Sequence, residues 1–260
     1  VSWLGRVVLL PLAFGGAALA AAQAPTFAPF TAIPTGNLPS AVAIADLDGD
    51  GRNDIVLSTL LSPFLFIFFQ NADGTLAPPV RLDAGNGISV ALGDVNGDGR
   101  IDIVTTYDDG FGVRLNLGNR NFGPVIRYVA PHASNLVTVV DLNGDGRNDV
   151  VAMDAASPFV TLFPGMADGT LGDGILIDAP HSGFSDMKIG DVDGNGLPDI
   201  VVSSLQQPPA NNVVLVLQQT PGVFAPPRSI PYPALFTIGP GGIALLDVDG
   251  DGSLDIVATR

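Results

Sequence analysis

The chain has 260 residues, no Cys, 26 acidic against 11 basic residues and a formal charge of −15. The basic residues form no cluster, which argues against a nucleic-acid partner, and the missing Cys excludes disulfides and thiolate metal sites. With 47% apolar residues, 32 Gly and 22 Pro, the composition suits a folded chain of many short strands joined by turns, not a disordered one.

The N-terminus reads as a secretory signal over residues 1–24. Arg6 is the only charge before VVLLPLAFGGAALAAAQA, and the run closes in small residues. It is short of the ~20 apolar residues a membrane span needs, and Pro11 and Gly15-Gly16 interrupt it. The expectation is export with cleavage, with no membrane insertion afterwards and a secreted or cell-surface location.

Residues 25–260 are organised by a nonapeptide that occurs five times. The copies are DLDGDGRND (46–54), DVNGDGRID (94–102), DLNGDGRND (141–149), DVDGNGLPD (191–199) and DVDGDGSLD (247–255), in repeats starting near 36, 86, 133, 183 and 238. Successive first Asp residues are 48, 47, 50 and 56 apart, a period that signals a repeat architecture.

Each copy has the same surroundings. Before the first loop, Val42 and Ile44 alternate with small residues, as a strand with one buried face does. After it, Ile55-Val56 begins a second strand. Third strands are expected in FLFIFF (64–69), VRLNL (113–117), FVTLF (159–163) and VVLVL (213–217). A turn such as ADGT (72–75 and 167–170) leads to a fourth, in LAPPVRL (76–82) or FGPVIRY (122–128). Four short antiparallel strands per ~48 residues predict an all-β fold, a β-propeller of four-stranded blades. Four repeats are complete and the fifth is partial. Either FAPFTAI (27–33) closes a five-bladed ring or the sequence is part of a larger ring.

The nonapeptide places side-chain oxygens at positions 1, 3, 5 and 9 and Gly at 4 and 6. Oxygens at alternate positions of a tight turn suit Ca²⁺, which takes six to eight hard ligands. In the first copy the ligands would be Asp46, Asp48, Asp50, the carbonyl of Arg52 and Asp54. The corresponding sets are Asp94, Asn96, Asp98, Arg100 and Asp102; Asp141, Asn143, Asp145, Arg147 and Asp149; Asp191, Asp193, Asn195, Leu197 and Asp199; and Asp247, Asp249, Asp251, Ser253 and Asp255. An EF-hand needs a carboxylate at position twelve, where this chain has Leu57, Thr105, Ala152, Val202 and Ala258. Loop charges of −3, −2, −2, −3 and −4 hold nearly all of the net charge. Carboxylates 4 Å apart repel by ~1 kcal/mol in water and ~4 at an intermediate effective dielectric, so such clusters call for a cation. Solvated Asx turns without an ion are the alternative. The fourth copy, with Asn195 and Leu197-Pro198, is expected to bind most weakly.

These loops resemble the FG-GAP/VCBS repeats of integrin-α-like propellers and of many exported microbial proteins. The resemblance covers residues 27–260 and includes FAPF (27–30), FGPV (122–125) and FAPP (224–227). It implies the same ligand assignment, up to five structural Ca²⁺ ions, and ligand binding on the face opposite the Asp loops. There the chain would present Tyr107, Asp108, Asp109, Asp154, Gln206, Gln207 and Asn211, with His132, His181, Phe184, Tyr232 and Phe236 from the blade-to-blade loops. No nucleophile elbow, P-loop or zinc-protease motif occurs. Two function classes stand: a non-catalytic binding or adhesion module for carbohydrate or extracellular protein, and a carbohydrate-active enzyme using carboxylates such as Asp108, Asp109 and Asp154.

Overall fold

The computed structural model describes residues 32–33, 38–60, 62–85, 87–154, 156–180, 183, 186–204, 212–231 and 242–258. The signal segment, the closing residues 27–31, Gln206, Gln207, Asn211, His181, Phe184, Tyr232 and Phe236 lie outside these residues. Among the described residues, all 22 elements are β-strands. No helix among the described residues is long and apolar enough to cross a membrane.

Four sheets follow one another along the chain. The first comprises β1 (Pro39–Ala45), β2 (Asp54–Thr59), β3 (Phe64–Phe68) and β4 (Val80–Asp83), antiparallel and in sequence order. The second comprises β5 (Val90–Gly93), β6 (Asp102–Tyr107), β7 (Gly110–Arg114) and, beyond a small hairpin of β8 (Asn116–Gly118) and β9 (Asn121–Phe122), β10 (Ile126–Val129). The third has β11 (Leu136–Val140), β12 (Asp149–Met153), β13 (Phe159–Phe163) and β14 (Ile175–Asp178). In the fourth, β15 (Met187–Gly190), β16 (Asp199–Ser203) and β17 (Asn212–Val216) are followed by the hairpin β18 (Gln218–Thr220) and β19 (Val223–Phe224), then β20 (Arg228–Pro231). A final pair, β21 (Ile243–Leu246) and β22 (Asp255–Ala258), repeats the first half of the pattern.

The core lies between consecutive sheets. Val56, Leu65, Ile67 and Phe69 of the first repeat pack with Val90 and Ile103 of the second. Val104, Phe111 and Val113 pack with Val137, Val150 and Phe163. Val151, Val160 and Leu162 pack with Met187, Ile200 and Val214, and Val201 and Val213 with Ile243 and Ile256. First strands of neighbouring sheets touch: β1 with β5, β5 with β11 and β15 with β21. This is the side-by-side stacking of β-propeller blades. Strand alternation produces it. In β5, Val90 and Leu92 face the preceding sheet and Ala91 the following one. In β1 the equivalent side chains Val42 and Ile44 are 60% and 61% exposed.

Several strand boundaries differ from the sequence expectation: β3 ends at Phe68, β10 starts at Ile126 and β17 spans Asn212–Val216. Two further differences have a clear backbone reason. The fourth strand starts at Val80 rather than Leu76, because Pro78 and Pro79 have no N–H for the ladder. The segment 113–117 is not one strand. Pairing with β6 ends at Arg114, and Asn116 turns to pair with Phe122.

Candidate metal loops and ligand cleft

Every Asp loop joins the first strand of a sheet to the second, so all five lie at the same end of their sheets. The first Asp organises the turn. Asp46 accepts N–H bonds from Gly49 at 2.8 Å and Asp50 at 3.2 Å on Oδ1, and from Gly51 at 2.8 Å on Oδ2. Asp94, Asp141, Asp191 and Asp247 repeat the three bonds. The two glycines are required, since Gly49 and Gly51 sit at φ 79° and 81°, where a side chain is strained. For Asp46, burial is the largest single influence and raises the pKa. The N–H groups of Gly51, Gly49, Asp50 and Asp48 together outweigh it, and the carboxyl is held below its ordinary value.

The ninth residue has a different position. Asp54, Asp102, Asp149 and Asp199 are fully buried beneath their loops. Asp54 Oδ2 accepts from the Leu47 N–H at 3.0 Å, and Oδ1 from the Gln70 N–H, just past the third strand, at 2.8 Å. Asp102, Asp149 and Asp199 do the same toward Asn116, Gly165 and Gln218. Each therefore pins its loop to the chain leaving the third strand. Burial pushes all four carboxyls above the ordinary value, against the pull of those N–H groups.

The structure also explains the departure in the fourth copy. Arg52, Arg100 and Arg147 each donate through Nε to the carbonyl after the third strand, at 3.2, 2.6 and 2.7 Å, and each pairs with the Asp two residues earlier. In the fourth loop Leu197 cannot do this. Asn195 takes over, donating through Nδ2 to the Gln218 carbonyl at 2.7 Å while its Oδ1 accepts from the Leu197 N–H. The Asp-Arg pair and the Asn-Leu pair are thus two solutions to one tether.

Loops of neighbouring sheets are joined. Asn116 donates to the Leu47 carbonyl at 2.7 Å, Asn148 to the Asp94 carbonyl at 2.8 Å, and Gln218 to the Leu142 carbonyl at 2.8 Å. Three of the loops bring together carboxylates that could hold a hard divalent cation. Carboxylate oxygens of Asp46, Asp48 and Asp50 lie within 4.8 Å of one another, as do those of Asp191, Asp193 and Asp199, and of Asp247, Asp249 and Asp251. Oxygen-only donors at that spacing are the chemistry Ca²⁺ takes.

At the other end of the sheets, the β6–β7 hairpin brings together only part of the expected ligand face. Tyr107, Asp108 and Asp109 line a cleft of about 500 Å³ with Asp83, Gly85 and Arg127. Tyr107 is buried, and Arg127 stacks on its ring, 3.7 Å from the centroid, while pairing with Asp109. Burial raises the Tyr107 pKa above its ordinary value. Asp154 and His132 are not in this cleft. Asp154 accepts the Ala156 N–H in its own turn, and exposed His132 stacks on Phe159. Sequence reasoning missed Asp83 and Arg127, although Arg81 and Arg127 occupy matching ladder positions opposite Phe66 and Gly112.

Known proteins can be set beside this geometry. An Agrocybe aegerita lectin, described for its specific recognition of non-reducing terminal N-acetylglucosamine, aligns with TM-score 0.60 and 22% identity over 84% of this chain and 60% of its own. A Photorhabdus luminescens Tc holotoxin pore aligns with TM-score 0.48 and 20% identity over 90% of this chain and 11% of its own. The V. cholerae biofilm matrix protein Bap1 aligns with TM-score 0.46 and 24% identity over 72% of this chain and 27% of its own. The chain thus spans less than two thirds of each, and the lectin supports the fold. No curated protein matches. The FG-GAP-like repeat model matches residues 94–152, 141–202 and 191–258. That is more than half of the sequence, and the chain belongs to the FG-GAP-like repeat family.

Proposed function

We propose that this chain is an exported, calcium-stabilised, non-catalytic propeller module that binds carbohydrate through the cleft between its first and second sheets. The observation that carries the reading is the composition of that cleft. Asp83, Asp108 and Asp109 offer carboxylate acceptors for sugar hydroxyls, and Arg127 offers donors beside them. The Asp loops at the opposite end hold Ca²⁺ for structure. All five copies share the bonds of their first Asp, whereas a catalytic metal keeps an open position that sets its site apart. The lectin of similar fold, described as recognising a terminal sugar, supports carbohydrate as the ligand class. The apolar run at residues 7–24 supports export.

Glycan-array binding by the Ca²⁺-loaded protein and by Arg127→Ala, with a parallel polysaccharide-cleavage assay, tests this. Binding should appear for the parent, fall at least about tenfold for Arg127→Ala, as loss of a charge-assisted hydrogen bond predicts, and leave the polysaccharide intact. An array without signal, binding indifferent to Arg127, or cleavage would each contradict it.

A further inference from the structure

Among the described residues, one ion pair reaches the first loop from a neighbouring sheet and has no counterpart at the other four. Arg120, in the β8–β9 turn of the second sheet, donates through Nε to Asp48 Oδ2 at 2.6 Å. Its second guanidinium nitrogen lies 2.6 Å from the same oxygen and 4.0 Å from Asp50. The guanidinium also covers the Phe69 ring of the first sheet, 4.4 Å from its centroid.

The backbone that delivers it is unusual. Asn119 and Arg120 have φ of 53° and 62°, and they are the non-glycine residues in the left-handed region among the described residues. Two left-handed residues between Gly118 and Asn121, which pair across the hairpin, make the tight turn for which Asn-Gly is the favoured sequence. Arginine in the glycine position is strained, and strain of this kind persists where surrounding contacts hold it. The contacts here are Asp48 and Phe69, both across the sheet boundary.

The other loops need no such partner. Asn96 and Asn143, at the position of Asp48, donate to Asp98 and Asp145 at 2.9 and 3.0 Å. Asp193 and Asp249 keep the carboxylate, and among the described residues no ion pair reaches either.

We propose that Arg120 is an internal competitor for the cation of the first loop: its guanidinium occupies Asp48 when the ion is absent, lowers that loop's calcium affinity selectively, and ties ion binding there to the contact between the first two sheets. This rests on the calcium reading of the loops. A positive charge within 4 Å of the ligand oxygens opposes a second cation by ~1 kcal/mol or more per unit charge, which is about fivefold in affinity. The first loop, despite four carboxylates, is then an exchangeable site.

The test follows the backbone amide signals of Gly49 and Gly51 during a Ca²⁺ titration by NMR, with Gly97 and Gly99 of the second loop as internal reference. Arg120→Gly removes the guanidinium and restores the favoured Asn-Gly turn, so the fold is retained; Arg120→Lys restores a charge. In Arg120→Gly the midpoint at Gly49 and Gly51 should fall about fivefold or more, with Gly97 and Gly99 unmoved, and Arg120→Lys should recover part of the shift. A midpoint that is unchanged or higher in Arg120→Gly, while the second loop titrates normally, overturns the proposal alone. No titration at any loop of the parent overturns the calcium reading and the proposal with it.

Discussion

Arg127, the cross-strand neighbour of Gly112, lies over the ring of Tyr107, 3.7 Å from its centroid. One sheet earlier the matching residue Arg81 lies over Phe66, 5.5 Å from its centroid, and there Phe66 is itself the cross-strand neighbour. The second sheet thus keeps the arginine but takes the aromatic ring from the end of β6, the strand before the one that carries Gly112. The exchange needs an absence: a Cβ at Gly112 would sit 2.7 Å from Tyr107 Cε2 and 2.5 Å from Val125 Cγ2.

Gly112→Ala should therefore destabilise the protein by about 1–3 kcal/mol, the usual cost of overfilling a packed site. Adding Tyr107→Ala should recover part of that loss, because the clash with the ring is gone. Urea denaturation of both single variants and the double variant measures the coupling, and strictly additive costs would show that Gly112 is not making room for Tyr107.

Tyr107 also gives the fold an alkaline limit. Burial is the largest influence on its hydroxyl and raises the pKa, aided by Asp83 and opposed by Arg114, Arg127 and a hydrogen bond to Thr105. The unfolded chain ionises this tyrosine near pH ~10 while the folded chain still holds the proton. The stabilisation it contributes is complete below that value and is lost as pH rises through the folded pKa. Stability followed from pH 9 to 11 should decline more steeply in the parent than in Tyr107→Phe; parallel curves would contradict the assignment.

Gln218 is the most demanding of the links between loops. It is fully buried, donates through Nε2 to the Leu142 and Pro198 carbonyls, and accepts the Gly222 N–H on Oε1. Gln218→Ala strands those groups and opens a cavity, so a loss of about 2–4 kcal/mol is expected, at roughly 1–3 kcal/mol for an unpaired buried group. Calorimetry of the variant checks this, and a loss below ~1 kcal/mol would mean that water replaces the side chain.

The repeat made the sheets legible in the sequence. A two-residue alternation such as Val90-Ala91-Leu92 marks a strand with Val90 and Leu92 on one buried face, and in β5 that face meets the preceding sheet. That Ala91 packs on the following sheet comes from the stacking and not from the alternation. The Asp-Gly turns were legible for the same local reason, since the carboxylate and the N–H groups it binds lie within five residues. What was not legible depends on residues far apart in the chain. Asp54 reads as a ligand like Asp46, but its burial and its bond to Gln70 come from the return of the third strand. Asn195 reads as a weakened ligand, and only the position of the Gln218 carbonyl reveals its amide as the stand-in for an arginine. Arg120 and Asp48 are 72 residues apart, and no local pattern joins them.

Calcium dependence of the melting temperature is the most direct test of the central claim that the Asp loops hold structural ions. Ca²⁺ at a hundred times the dissociation constant contributes about 2.7 kcal/mol per site. Calorimetric scans in Ca²⁺, in EDTA, and in EDTA followed by excess Mg²⁺ should therefore give a melt many degrees higher with Ca²⁺. Mg²⁺ should restore it poorly, because Mg²⁺ demands tighter octahedral geometry. Identical melts in Ca²⁺ and in EDTA would contradict the account and leave the loops as Asx turns held by their own N–H groups.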